Sequence, residues 1–296
     1  MSPPTPRPTH REPPVHPDHD RGLEFDVRTL VARRSALGLL SGAGLLALVG
    51  CSDPTSTGTA SSSTVSTTSA AGSAGAGATA SGSTTAVNSV VPDETAGPFP
   101  GDGSNGVDVL DDTGIVRRDI RSSVGTSTTT APGVPLTINL TVLDSGSGYA
   151  AMAGVAVYAW HADAEGRYSM YSSGVENENY LRGVQPTDAS GTATFTTAFP
   201  GCYDGRWPHV HFEVYRSTAE ATSDGQIVRT SQIALPQAAC EAVYADTSTY
   251  PSSAANLART SLTRDMVFGD DGGIHQLATV TGDAAGGYVA NLTIGV

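Results

Sequence analysis

Apolar and polar positions alternate with a two-residue period through the second half of the chain, and each such stretch predicts a strand. Leu136, Ile138, Leu140 and Val142 alternate with Thr137, Asn139 and Thr141, so residues 136–143 read as a half-buried strand. Comparable stretches at 155–160, 192–197, 227–233, 276–280 and 288–294 are separated by Gly-, Asp- and Ser-rich turns. In the stretch 209–214, Val210, Phe212 and Val214 alternate with His209, His211 and Glu213. Side chains two apart on a strand share a face, so the two imidazoles aim at one volume while the apolar side chains pack the other way. One or two short helices are expected between residues 238 and 264, and no internal repeat is visible. Many short strands joined by turns predict an all-β fold, a β-sandwich of mostly antiparallel strands with long loops and few short helices.

The first part of the chain lacks any such period. Arg33-Arg34 precede an apolar run from Ala36 to Val49, too short to span a membrane, so residues 1–50 read as a signal peptide. The paired arginines predict twin-arginine export. Leu48-Val49-Gly50-Cys51 resembles a bacterial lipoprotein cleavage box, which would make Cys51 the lipidated N-terminus. Residues 51–89 are almost wholly Ser, Thr, Gly and Ala and predict a flexible tether, because such a segment buries too little apolar surface to offset its ordering entropy. The folded domain is expected over 90–296. The expectation is an exported protein held to the outer face of the cell membrane by its lipid alone.

Charge narrows the function. The chain carries a net charge of −13, and after residue 50 ten arginines face 24 acidic residues with no lysine. That balance excludes nucleic acid and anionic lipid surfaces as partners. Without lysine, Schiff-base chemistry and P-loop phosphate binding are excluded too, so Gly101–Gly106 reads as a turn. Cys202 and Cys240 form a pair in an oxidising compartment, which predicts a disulfide clamping the loop that carries Tyr203.

Tyr203 lies six residues before His209, behind an Asp204-Gly205 turn that lets it fold back over the imidazoles. Two imidazoles and a hard phenolate favour iron(III). The plainer alternative is two solvent-facing strand histidines and a core tyrosine. Of the other histidines after residue 50, His275 reads as a surface residue, and His161, at a strand end, is a weaker candidate for the lining of the site.

Four pieces in order weigh against the plainer alternative: E-T-A-G-P-F-P at 94–100, G-R-Y at 166–168, P-G-C-Y at 200–203 and R-W-P-H-V-H-F at 206–212. Together they resemble the intradiol ring-cleavage dioxygenases, in particular their exported branch. The resemblance implies a non-haem iron(III) held by Tyr168, Tyr203, His209 and His211, with Tyr203 and His211 as the axial pair. It implies that Arg206 faces the reacting ring and that Gln232 stands near the second histidine. The implied reaction cleaves a catecholic ring between its two hydroxylated carbons with dioxygen, giving a cis,cis-muconate-type product. In it Tyr203 takes a substrate proton and Arg206 stabilises developing charge. A phenol normally titrates near 10, but an adjacent ferric ion deprotonates it at neutral pH.

Two departures from better-known members affect substrate preference and oligomeric state, both left open: a short Tyr203-to-His209 spacing, and a tether where a helical N-terminal domain would stand. Two other readings are a non-catalytic aromatic-binding lipoprotein on the same sandwich and a cupin-like metal enzyme. The paired tyrosines and Arg206 disfavour the first. The second would have a glutamate four or five residues after His211, and none stands there.

Overall fold

The larger sheet is assembled on β1 (Pro135–Asp144), which has β-branched or leucine side chains at every inward position. In the computed structural model, residues 89–296 are described; the signal peptide, Cys51 and all but the last residue of the tether lie outside them. β1 pairs antiparallel with β5 (Thr192–Ala198) and, at its far end, with the two-residue β2 (Ala150–Ala151). On its other side lies β9 (Gly287–Gly295), parallel to it, and β8 (Thr279–Asp283) follows antiparallel. The smaller sheet is antiparallel throughout, in the order β4 (Arg182–Pro186), β3 (Ala156–Trp160), β6 (His209–Tyr215), β7 (Ile227–Ala234). Among the described residues there are three short α-helices: α1 (Thr218–Ala221), α2 (Gln237–Tyr244) and α3 (Ser253–Leu257). This is the expected β-sandwich.

The main core lies between the sheets. Leu136, Ile138, Leu140 and Val142 of β1 share one apolar cluster with Val210, Phe212 and Val214 of β6 and Phe195 of β5. Burying each such side chain contributes about 1.5–3 kcal/mol. A second cluster covers the opposite face of the smaller sheet, where Ala156, Tyr158 and Trp160 meet Val109, Ile115, Tyr168 and Tyr171 from the long connections. The smaller sheet is therefore buried on both faces, and all seven residues of β6 are buried, its polar row included. A lone strand with one polar face predicts a solvated face; the connections 94–116 and 161–181 bury it instead.

Glu213 in that polar row has its carboxyl pushed up from 4.5 to about 8, first by burial and then by the Asp102 carboxylate beside it. One of its oxygens accepts from Tyr215 Oη at 2.8 Å, while the other is buried without a donor. A raised carboxyl pKa means the folded state favours the protonated form, so stability is full below about 4.5 and is lost as pH rises toward 8. Glu213→Gln should therefore raise the melting temperature at pH 8 and leave it nearly unchanged at pH 4.5. Thermal unfolding at the two pH values checks this, and an equal change at both would remove the electrostatic account.

Candidate metal centre

The polar row of β6 supplies two of four donors that meet in one place. His209 Nε2 and His211 Nε2 are 3.0 Å apart. Tyr168 Oη lies 3.3 Å from His209 Nε2 and 3.1 Å from His211 Nε2. Tyr203 Oη lies 3.3 Å from His209 Nε2 and 3.4 Å from Tyr168 Oη. Five of the six donor–donor separations thus fall between 3.0 and 3.4 Å, close enough for one ion with metal–ligand bonds of roughly 2 Å to touch all four. Among the described residues no group of three or more His, Cys, Asp or Glu could hold a metal, so the two phenols are what completes a four-donor set. Two imidazoles and two phenols suit a hard, highly charged ion, and the donor set fits ferric iron.

Both imidazoles are held ready to ligate. The Trp207 carbonyl takes the Nδ1 proton of His209 at 2.5 Å, which leaves Nε2 with its lone pair toward the other donors. The His211 ring is fixed by stacking on Trp160, 4.9 Å between centroids and 9° from parallel. Burial, then the Arg206 charge, pulls His209 down to about 3. Burial, then His209 and Arg206, holds His211 well below the usual range. Both are thus neutral at physiological pH, the form that coordinates a metal.

Each tyrosine is placed by a tightened loop. Asp163 Oδ1 accepts from the backbone N–H of Glu165 and of Arg167, and its other oxygen accepts from Arg167 Nε and Tyr180 Oη. That folds residues 163–167 into the turn preceding Tyr168. Gly166, at φ +84°, packs against the Tyr203 loop, where an added Cβ would stand 3.0 Å from Tyr203 Cβ. The glycine of the G-R-Y piece thus serves both a left-handed turn and the close approach of the two tyrosine loops. On the far side α3 fastens the Tyr203 loop: Ser253 Oγ accepts from Cys202 N, and Asn256 donates to the Cys202 carbonyl.

Arg206 is buried beside the donors. Its Nη1 lies 3.5 Å from Tyr203 Oη, its Nε donates to Asp265 at 2.9 Å, and its Nη2 donates to Gln232 Oε1 at 2.6 Å. Asp265 also accepts from the N–H groups of Trp207, Val267 and Phe268. Burial raises the Asp265 carboxyl, but the Arg206 charge and hydrogen bonds outweigh that and hold it below its ordinary value. Residues 96–99 form the remaining wall of a small cleft shared with Trp160, Tyr168, Tyr203, Arg206 and His211.

The structure therefore brings Tyr168, Tyr203, His209, His211 and Arg206 together. Gln232 is register partner of His211 across β6 and β7, but its side chain is committed to Arg206 and to the Thr95 carbonyl, 3.1 Å from its Nε2. It positions Arg206 and the wall. His161 does not line the cleft: its ring nitrogens meet the Ala162 carbonyl and Thr197 Oγ1. The predicted disulfide is corrected. Cys202 and Cys240 are both free and buried, with the sulfur of Cys202 facing the Arg206 carbonyl at 3.5 Å and that of Cys240 facing the Leu235 carbonyl at 3.8 Å. Asp163 and Asp265 were not legible as site residues, since an aspartate in a turn-rich stretch carries no signal beyond turn formation.

A family model described as "Dioxygenase" matches residues 119–211, a span that includes all four donors and Arg206 and stops short of Gln232 and Asp265. An intradiol ring-cleavage dioxygenase from Tetranychus urticae has a similar fold, at 22% identity and a TM-score of 0.55, over 70% of this chain and 94% of that one. A second solved dioxygenase aligns at 22% identity and a TM-score of 0.54, over 70% and 93%. The dioxygenase domain of a carbohydrate-binding fusion protein from Streptomyces sp. SirexAA-E aligns at 24% identity over 70% and 98%, with a TM-score of 0.44. No curated protein matches the chain. The chain thus resembles the intradiol ring-cleavage dioxygenases in its family match and in its fold.

Proposed function

We propose that this chain is a non-haem iron(III) dioxygenase that opens a catecholic ring between its two hydroxylated carbons to give a cis,cis-muconate-type product. The observation that carries the reading is the convergence of two phenols and two imidazoles, five of their six pairs 3.0–3.4 Å apart, beside a buried arginine. Tyr168, Tyr203, His209 and His211 would hold the metal. Ferric iron bound there would supply activation of the catecholate ring toward dioxygen. The rest falls to the protein. Tyr203, with Arg206 Nη1 3.5 Å from its oxygen, is the phenol placed to accept a substrate proton. The Arg206 cation, with its charge held by Asp265, is fixed close to where negative charge develops, so it stabilises that charge without reorganising. Wall residues 96–99, together with Trp160, keep the cleft narrow and exclude bulk water.

Loading the metal-free full chain with ferric iron should produce a wine-red to purple colour, because a tyrosinate bound to iron(III) has a visible charge-transfer band. Catechol and dioxygen should then yield the muconate. A colourless zinc-bound protein, or a semialdehyde from cleavage outside the hydroxylated pair, would falsify the reading. Catechol binding with no oxygen uptake would support the aromatic-binding lipoprotein instead.

The same proposal places the domain outside the cell on a lipid attached at Cys51, which the Leu48–Cys51 box supports. Cys51→Ser should move the protein from the membrane fraction to the soluble fraction; retention in membranes would remove the anchor from the proposal.

A further inference from the structure

Arg182 is 1% exposed, and all five of its N–H groups are satisfied by neutral acceptors. Its Nε donates to Ser169 Oγ at 3.0 Å. Nη1 donates to the Pro100 carbonyl at 2.7 Å and to Tyr158 Oη at 3.2 Å. Nη2 donates to the Phe99 carbonyl at 3.0 Å and the Ser169 carbonyl at 2.9 Å. The Tyr171 ring lies 5.4 Å from the guanidinium carbon. A buried cation is costly unless every donor is paired, and here the planar fork of five donors meets five acceptors.

Those acceptors lie on the cleft wall, on the Tyr168 loop and on β3, so the one guanidinium ties three segments together, beside the Gly101 N–H that donates to Tyr171 Oη at 2.8 Å. Phe99 and Pro100 end the cleft wall, and Ser169 follows the candidate ligand Tyr168. The Phe99 ring packs against Tyr168 at 5.2 Å, and Gly97 brings the wall to where an added Cβ would be 3.4 Å from His211 Cε1. The other end of the wall is fastened separately, by Gln232 to Thr95 and by Glu94 N to the Thr230 carbonyl. Two non-glycine residues close to this network, Met170 at φ 71° and Leu181 at φ 58°, adopt the left-handed conformation, which costs each about 1–2 kcal/mol and persists only where surroundings over-determine it.

We propose that Arg182 is a positioning residue that latches the cleft wall 96–100 to the Tyr168 loop and so sets the width of the substrate cleft. The substrate part of this rests on the dioxygenase reading; the latch does not. Lysine at this position keeps the charge and most of the volume, but its three donors radiate from one nitrogen and cannot span the Phe99, Pro100 and Ser169 carbonyls together.

The test uses the full chain as Arg182→Lys, with Arg182→Met as a second variant, and reads amide hydrogen exchange before any activity. Exchange at residues 96–101 should rise by at least about tenfold while strands 136–143 and 209–215 keep their protection. In the iron-loaded protein, KM for catechol should rise more than kcat falls. Unchanged exchange at 96–101 in a folded variant, or an equal rise through every strand, would overturn the latch. If the unaltered protein cleaves no catechol, the dioxygenase reading fails while the exchange result still decides the latch.

Discussion

His209→Ala should leave a folded protein that no longer binds ferric iron tightly, with ring cleavage lost alongside the visible colour. Loss of an outer partner of a metal ligand typically costs about 10–100-fold in metal affinity, and loss of a donor itself should exceed that. The geometry sharpens the expectation, because His209 Nε2 lies within 3.3 Å of each of the three other donors. Tyr168→Phe removes a donor near both histidines and should behave in the same way. Tyr203→Phe should separate the two properties, keeping part of the metal affinity while turnover falls sharply through loss of a proton acceptor. Metal analysis and the visible spectrum, measured beside turnover, check all three. A His209→Ala protein that keeps stoichiometric iron and full colour would show that the donors do not act as one site.

Asp265→Ala should be the most destabilising single change near the cleft. It leaves the Arg206 guanidinium, 2% exposed, without its carboxylate, and strips the acceptor from three backbone N–H groups. Removing one partner of a buried ion pair costs about 3–5 kcal/mol, which lowers the melting temperature of a domain this size by roughly 10 °C or more. Because the Asp265 carboxyl is held below its ordinary 3.8, its contribution is full above that value and is lost as pH falls through the lower folded one. The gap between the variant and the unaltered protein should therefore close in strong acid. Arg206→Met combined with Asp265→Leu should recover only the ion-pair part of the stability, because the three backbone N–H groups stay unpaired, and should not recover turnover. Thermal unfolding across pH reads each of these outcomes, and a gap of constant size down to pH 2 would deny the ion pair its role.

What could be read from the residues was what local periodicity encodes. β1, β3, β5, β6, β7 and β9 fall within a residue or so of the alternating stretches, since each has one face on the main core. β4 was not legible, because Arg182, Gly183 and Pro186 show no alternation and the strand is defined by its pairing with β3. β8 lies three residues beyond the expected 276–280, where Gln276 and Ala278 are buried in irregular chain that bonds Ala234. At the cleft, the donors were visible because tyrosine and histidine in those four pieces are chemically distinctive. The residues that hold them are not: Asp163, Arg182 and Asp265 act across 5 to 59 positions of sequence on Tyr168 and Arg206 neighbourhoods.

The parallel pairing of β1 with β9 has a kinetic consequence. The strand at the centre of the larger sheet is flanked along eight register pairs by nearly the last residues of the chain, from Leu136–Tyr288 to Leu143–Gly295. A contact closing so long a loop is formed late and slowly, because the chain loses the loop's entropy before the pairing compensates for it. Until residue 295 is available, β1 has an open edge and β8 has no neighbour in the sheet. Truncating the final ten residues would leave a chain that exposes an unpaired strand edge to other copies of itself, and aggregation would overtake folding.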